Sequence, residues 1–202
     1  MAAAVTGLML VGCAGGGLHR FSGPGSRAVV GEYRGRVERA DGQSRPCHAL
    51  LFAHGPDRFH AELLGPFGGP QWIVDGGAGR MAVTAVGDGV AYAGAASPDL
   101  VAGVLGLPIS AEQLVHGLLE SSVAGEGWSL ARGPGRPGAL PQALELRSDE
   151  GVVRLRLRRW RALRGDGSRL GTGEPPPGIP VRPLEELASG DGSALFSGAA
   201  RR

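Results

Sequence analysis

Residues 153–158 alternate between apolar and basic side chains, with Val153, Leu155 and Leu157 separated by arginines. Successive side chains of a β-strand point to opposite faces, so this pattern predicts a strand with one buried and one polar face. A similar period-two pattern runs through residues 29–38. Further short apolar segments are separated by turns rich in Gly, Pro and Asp, at 48–54, 59–64, 71–75, 80–86 and 89–93. This spacing predicts an antiparallel meander.

The pattern changes to a helical one after the sixth predicted strand. Ser97-Pro98-Asp99 is a typical helix start, and Ser110 with Gln113 three residues later forms a capping box. Strands are predicted again at 127–131, 142–147 and 151–160. We therefore expect a mainly β fold of the α+β class, with a single curved antiparallel sheet and a two-helix insert covering an apolar cavity. The helix residues expected to face the cavity or the sheet are Leu100, Val104, Leu114 and Leu118.

Composition excludes a membrane channel, a coiled coil and a small disulfide-bonded scaffold. The 202 residues contain 37 Gly and 15 Pro, only 5% aromatic residues, and a formal net charge of +2. There is no apolar run long enough for a spanning helix, and two cysteines cannot form a disulfide framework. So small a charge does not indicate nucleic-acid binding.

Residues 165–202 lose periodicity and are predicted to be a disordered Pro/Gly-rich tail, with one short helix at 184–188.

The N-terminus carries a targeting pattern. Residues 1–12 are uncharged and mostly apolar, like the core of a secretory signal peptide, and they end at Leu10-Val11-Gly12-Cys13, which resembles a bacterial lipobox. This predicts cleavage before Cys13, acylation of its thiol with a chain such as palmitate, and a tether over 13–27. The globular domain is then expected over 28–164. The alternative is a small-residue N-terminus with a chance cysteine.

No catalytic, metal or cofactor site stands out. His48, His54 and His60 are evenly spaced but lie on two predicted strands without carboxylates at ligand spacing, so a metal site is disfavoured. We expect no enzyme activity and no cofactor. Arg154, Arg156 and Arg158 form a basic strand face, for which two interpretations remain open. It is either a solvated surface, or a surface for anionic headgroups or an acidic partner.

Several motifs in order resemble the LolB family of outer-membrane lipoproteins, which receive other lipoproteins from the periplasmic carrier LolA. These motifs are Arg58-Phe59, Gly65-Pro66-Phe67-Gly68, Ser97-Pro98-Asp99-Leu100, Leu105-Gly106-Leu107-Pro108-Ile109, Leu144-Glu145-Leu146 and the segment Arg154–Trp160. Together with the lipobox, the resemblance covers roughly residues 13–161.

The resemblance implies a half-barrel whose cavity holds the acyl chains of lipoprotein cargo. It implies a monomer anchored through Cys13 to the outer membrane, facing the periplasm, that takes cargo from a LolA-type carrier. It also implies that Phe67, on a loop with Pro66 and Gly68, touches the membrane during insertion. The alternative for Phe67 is that it folds back onto the sheet edge. A structural or assembly lipoprotein of the envelope, or a lipid-binding protein for other cargo, remains open on the same fold.

Overall fold

The computed structural model describes residues 29–162 and 170–189. Six strands come first: β1 (Val29–Arg39), β2 (Ser44–His54), β3 (Arg58–Leu64), β4 (Pro70–Gly77), β5 (Arg80–Ala85) and β6 (Val90–Ala95). Two helices follow, α1 (Pro98–Leu105) and α2 (Ala111–Leu119). The remaining elements are β7 (Val123–Gly125), β8 (Trp128–Arg132), β9 (Ala143–Ser148), β10 (Gly151–Ala162), β11 (Val181–Pro183) and α3 (Leu184–Ala188).

All eleven of these strands belong to one sheet, in the order β11-β6-β5-β4-β3-β2-β1-β10-β9-β8-β7. The prediction of a mainly β domain built on a single sheet is confirmed. The sheet is mixed rather than wholly antiparallel, because β11 pairs with β6 in the parallel direction. The long central pair β1–β10 joins the N-terminal meander to the strands that follow the helices.

The central strands follow the alternation of the sequence. On β10, Val153 and Leu155 are buried while Arg154 and Arg156 are exposed. Gly35 of β1 lies opposite Leu155, and a Cβ built at Gly35 would fall 1.6 Å from the carbonyl oxygen of Arg154. Only glycine therefore allows the two backbones to approach so closely here.

Both predicted helix starts are confirmed. The Ser97 side chain accepts a hydrogen bond from the backbone N–H of Leu100 at 3.4 Å. At α2, Ser110 Oγ accepts from the Gln113 N–H at 3.1 Å, and Gln113 Oε1 accepts from the Ser110 N–H at 3.0 Å. These reciprocal bonds satisfy backbone donors that a helix start leaves without partners. They also let α2 begin abruptly and lie against the sheet.

The prediction of a disordered tail over 165–202 is wrong for residues 170–189. Within this segment, here called the C-terminal strap, β11 extends the sheet, and α3 occupies the predicted 184–188. The physical reason is burial: Leu184 is fully buried, and Leu170 packs on the buried pair Val30 and Phe52. The short strands β7 and β11 were not predicted. The predictions for the signal peptide at 1–12, for Cys13 and for the tether lie outside the described residues.

Candidate functional site

The two faces of the sheet have different chemistry. The helix face is the side on which α2 contacts β2, β3 and β8. It is apolar, with Leu51, Ala61 and Leu63 packed against the main buried cluster. The opposite side, here called the open face, carries the polar and charged positions of the same strands. The apolar helix face therefore suits an acyl chain better than the open face does, and the arginines of the open face suit an anion.

A cavity of about 80 Å³ lies between α2 and the helix face. Most of its wall is aliphatic, including Leu51, Leu63, Leu114, Leu118, Leu146 and Leu155. Pockets that enclose drug-sized ligands usually measure about 300–1,000 Å³. The wall thus has the chemistry of an acyl-chain site, but a whole chain enters only if the helices move away from the sheet.

The four predicted helix residues divide into two groups. Leu114 and Leu118 of α2 lie on the cavity wall. Val104 of α1 is buried in the core and Leu100 packs against it, but neither lies on that wall. Leu105 at the end of α1 does line the cavity and was missed, because the helical spacing alone does not show how α1 is rotated.

Cys47 on β2 also lines the cavity, as a free thiol. Burial raises the pKa of this thiol above its ordinary value, with the nearby Arg45 charge opposing the shift only in part. A raised pKa keeps most of the thiol protonated at neutral pH, so Cys47 reacts slowly with thiol reagents. Cys47 therefore behaves as a small apolar wall residue and provides a native reporter for occupation of the cavity.

The turn between β3 and β4 presents Phe67 to solvent. Its side chain has a relative exposure of 102%, so Phe67 does not fold back onto the sheet. The turn is closed by a hydrogen bond from the Gly65 N–H to the Gly69 carbonyl at 2.8 Å and one from the Gly68 N–H to the Gly65 carbonyl at 3.0 Å. Gly68 has a φ of +83°, a conformation that favours glycine. With exposed Pro66 beside it, Phe67 sits at the tip of a braced loop.

The three predicted surface arginines of β10 lie exposed on the open face, and they are not equivalent. Arg154 donates to Glu38 at 2.6 Å and to Glu145 at 2.8 Å. Among the described residues, no carboxylate lies within 4.0 Å of Arg156 or Arg158. Arg154 therefore links neighbouring strands, whereas Arg156 and Arg158 are exposed and have no counter-ion in the part of the chain that the structure describes.

Glu32 is a buried acid on the same face. Its carboxylate accepts from Arg159 Nε at 2.6 Å and lies 3.1 Å from His48 Nε2. The hydrogen bond from Arg159 is the main reason that the pKa of Glu32 is lowered, with His48 adding to it and burial opposing it. The carboxylate of Glu32 thus balances the positive charge of Arg159.

The histidines considered as a metal set are separated by the structure. His48 contacts Glu32, whereas His60 lies between Asp75 at 2.8 Å and Glu62 at 3.3 Å. Within the described part of the chain, no group of three or more His, Cys, Asp or Glu side chains is placed to hold a metal ion.

Asp75 on β4 is a buried acid that sequence reasoning missed. Its carboxylate accepts hydrogen bonds from three successive backbone amides of the strap, those of Gly171 (3.0 Å), Thr172 (2.6 Å) and Gly173 (2.9 Å). Burial alone would raise the pKa of Asp75, but the hydrogen bonds from His60, Gly173 and Gly171 lower it overall. Asp75 and His60 thus fasten the strap to the open face. A lone Asp in a strand gives no signal of this role.

Beyond this attachment the strap encloses a second pocket of about 490 Å³ on the open face. His60, Asp75 and Thr84 from the sheet line it, facing the strap residues Thr172 and Glu174 and the prolines 175–177. The proline run expected to be disordered thus forms one wall of this pocket.

No family model matches the chain, and no curated protein matches it. Among the described residues, no helix combines the length and the apolar character needed to cross a bilayer.

Proposed function

We propose that the protein is an outer-membrane-anchored lipoprotein of the LolB kind, a half-barrel that binds lipoprotein acyl chains and helps insert them into the outer membrane. The observation that carries the proposal is the aliphatic cavity between α2 and the helix face. The braced loop that presents Phe67 supports it. Cys13 would anchor the chain on the periplasmic side of that membrane, and Phe67 would enter the bilayer during insertion. A LolA-type carrier would supply the cargo to a monomer, and no catalytic step or cofactor is involved.

Acyl binding in this site requires α1 and α2 to act as a movable cover. Burial of an acyl chain out of water is worth about 0.8 kcal/mol per methylene, so a chain passes between apolar sites without being released into water. At about 80 Å³ the cavity marks where the chain would start to enter, between Leu118 of α2 and the strands. Separating α2 from the sheet would extend this space along the aliphatic wall.

The first test is binding of a fluorescent fatty acid to the full chain carrying Cys13→Ala. We expect saturable binding that a Leu118→Trp substitution weakens about tenfold or more, because the indole fills the cavity. Leu100→Trp is the matched control, since Leu100 lies on α1 away from the cavity wall. In the Cys13→Ala chain Cys47 is the only thiol, and its reaction with maleimide should slow when the fatty acid binds. Equal binding by both Trp variants would contradict the proposed site.

The second test follows cargo. A LolA-type carrier loaded with labelled lipoprotein is mixed with the Cys13→Ala chain and liposomes, and with the same chain carrying Phe67→Glu. We expect both proteins to remove cargo from the carrier, and only the chain with Phe67 to deliver it to liposomes. If no cargo leaves the carrier, the protein is not a lipoprotein receptor.

A structural or assembly lipoprotein is the second candidate, and the small cavity volume favours it. A core filled this well suits a scaffold that uses its surface to hold a partner. The fatty-acid titration separates the two candidates, because a scaffold would show no saturable binding and no protection of Cys47.

A further inference from the structure

A large groove on the open face concentrates positive charge. It measures about 870 Å³ and is lined by Arg34 and Arg36 of β1, Arg45 and His48 of β2, and Arg154, Arg156 and Arg158 of β10. Glu38 is the acid among its lining residues. The whole chain has a net charge of only +2, so this groove differs sharply from the average surface. Focused charge of one sign attracts the opposite charge before contact is made.

Some arginine side chains of the groove are available to bind an anionic ligand. Arg154 is engaged with Glu38 and Glu145, and Arg36 Nε donates to Ser44 Oγ at 3.0 Å. Arg156 and Arg158, in contrast, have no carboxylate within 4.0 Å among the described residues. Two neighbouring guanidinium groups without counter-ions suit phosphate oxygens, which arginine binds through paired N–H donors.

The groove and the Phe67 loop form one continuous surface. β2 pairs with β3, so the start of β2 lies beside the β3–β4 turn. Leu64, Gly65 and Pro66 accordingly line one side of the groove, and Phe67 follows directly in the chain. A fully exposed aromatic tip therefore lies at the border of a basic groove.

We propose that this surface docks the protein on an anionic phospholipid bilayer, with lipid phosphates in the arginine groove and Phe67 among the acyl chains. Stable attachment to a membrane generally needs two signals, of which an apolar insertion and a basic patch are a common pair. The bilayer is favoured over an acidic protein because the exposed Phe67 needs an apolar phase next to the bound anions. The inference rests on the proposed function for the role of docking, which brings the acyl-binding site to the membrane.

The test is cosedimentation with vesicles of the chain lacking residues 1–13, which removes the contributions of the predicted signal peptide and of a lipid anchor. The vesicles are phosphatidylcholine alone, or phosphatidylcholine mixed with phosphatidylglycerol. We expect partitioning about tenfold stronger on the anionic vesicles, reduced by high salt because exposed charges are screened. Arg156→Gln with Arg158→Gln should lower it about fivefold or more. Phe67→Ser should lower partitioning on both kinds of vesicle.

Matched variants make the result specific. Arg136→Gln with Arg182→Gln removes the same charge from exposed positions outside the groove, and Val181→Ser removes an exposed apolar side chain away from the loop. Both controls should bind like the parent protein. Equal loss in the groove and control arginine variants, or equal binding to neutral and anionic vesicles, would overturn the proposal. An acidic protein as the true partner would leave vesicle binding independent of Arg156 and Arg158. Fatty-acid binding is measured separately, so its failure would count against the proposed function alone.

Discussion

One buried pair of charges, His60 and Asp75, contributes to the attachment of the strap. His60 faces Asp75 at 2.8 Å and Glu62 at 3.3 Å, while the other groups bonded to Asp75 are donors of the strap. Burial alone lowers the pKa of His60, but the hydrogen bonds to Asp75 and Glu62 outweigh it and raise the pKa to about 9 from 6.5. His60 therefore stays protonated at neutral pH and holds both carboxylates.

The raised pKa of His60 predicts that the free energy of unfolding falls in mildly alkaline solution. A raised pKa means that the stabilisation is complete below the unfolded value of 6.5 and is lost as pH rises through about 9. At about 1.4 kcal/mol per pKa unit, the free energy of unfolding should fall by about 3 kcal/mol across that interval. Urea denaturation at several pH values measures it. The variant His60→Gln should lack this slope, and an equal slope in the variant would contradict the prediction.

At the scale of elements, α1 and α3 meet through small residues. A Cβ built at Gly103 of α1 would lie 2.5 Å from the Cβ of Ala188 and 2.8 Å from its Cα, which is too close for the present packing. Gly103 thus allows α3 to lie against α1. This contact restrains α1, which is one of the two helices of the proposed movable cover.

Gly103→Ala should therefore destabilise the protein even though alanine is the better helix former. Propensity favours the substitution by about 1 kcal/mol, whereas forced displacement of a packed element usually costs about 1–3 kcal/mol. We expect a net loss of about 1 kcal/mol, measured as a lower urea midpoint. Gly87→Ala is the control, because nothing lies within 4 Å of a Cβ at that turn. A rise in stability on Gly103→Ala would show that α3 does not pack on α1 in solution.

At the scale of the whole molecule, the strap joins both faces of the sheet. Leu170 and Asp75 attach it to the open face, β11 extends the β6 edge, and Leu184 is buried in the main core with the residues of the helix face. The strap therefore covers an edge that would otherwise leave backbone groups unpaired.

Removing residues 170–202 should lower the free energy of unfolding by about 3 kcal/mol or more. Each buried leucine contributes about 1.5–3 kcal/mol, and a hydrogen bond to a charged group about 1.5–3 kcal/mol. Denaturant titration measures the change, and a chain lacking only residues 190–202 serves as the comparison. Similar midpoints for the two truncated chains would mean that the strap is not part of the stable domain.

Local patterns accounted for much of this fold. Alternation along β10 and the side-chain caps at Ser97 and Ser110 act over a few residues, so the strands and helix starts could be predicted. The position of Leu105 on the cavity wall, rather than Leu100, depends on how α1 rotates against the sheet. β11 has only the residues Val181, Arg182 and Pro183, too few for a periodic signal.

The sequence by itself determined a mainly β domain, the two capped helices and a turn around Phe67, because each follows from near neighbours in the chain. That the Phe67 side chain faces solvent was decided only by the tertiary structure. Only the tertiary structure decided that the strap adopts defined secondary structure, since the composition of residues 170–189 predicts disorder. The residues that hold the segment, Asp75 and Phe52, lie about 100 residues away in the chain. It also decided which arginines share a groove. Strands distant in sequence become neighbours only when the sheet forms, and long-range pairing brings Arg34 and Arg156 together.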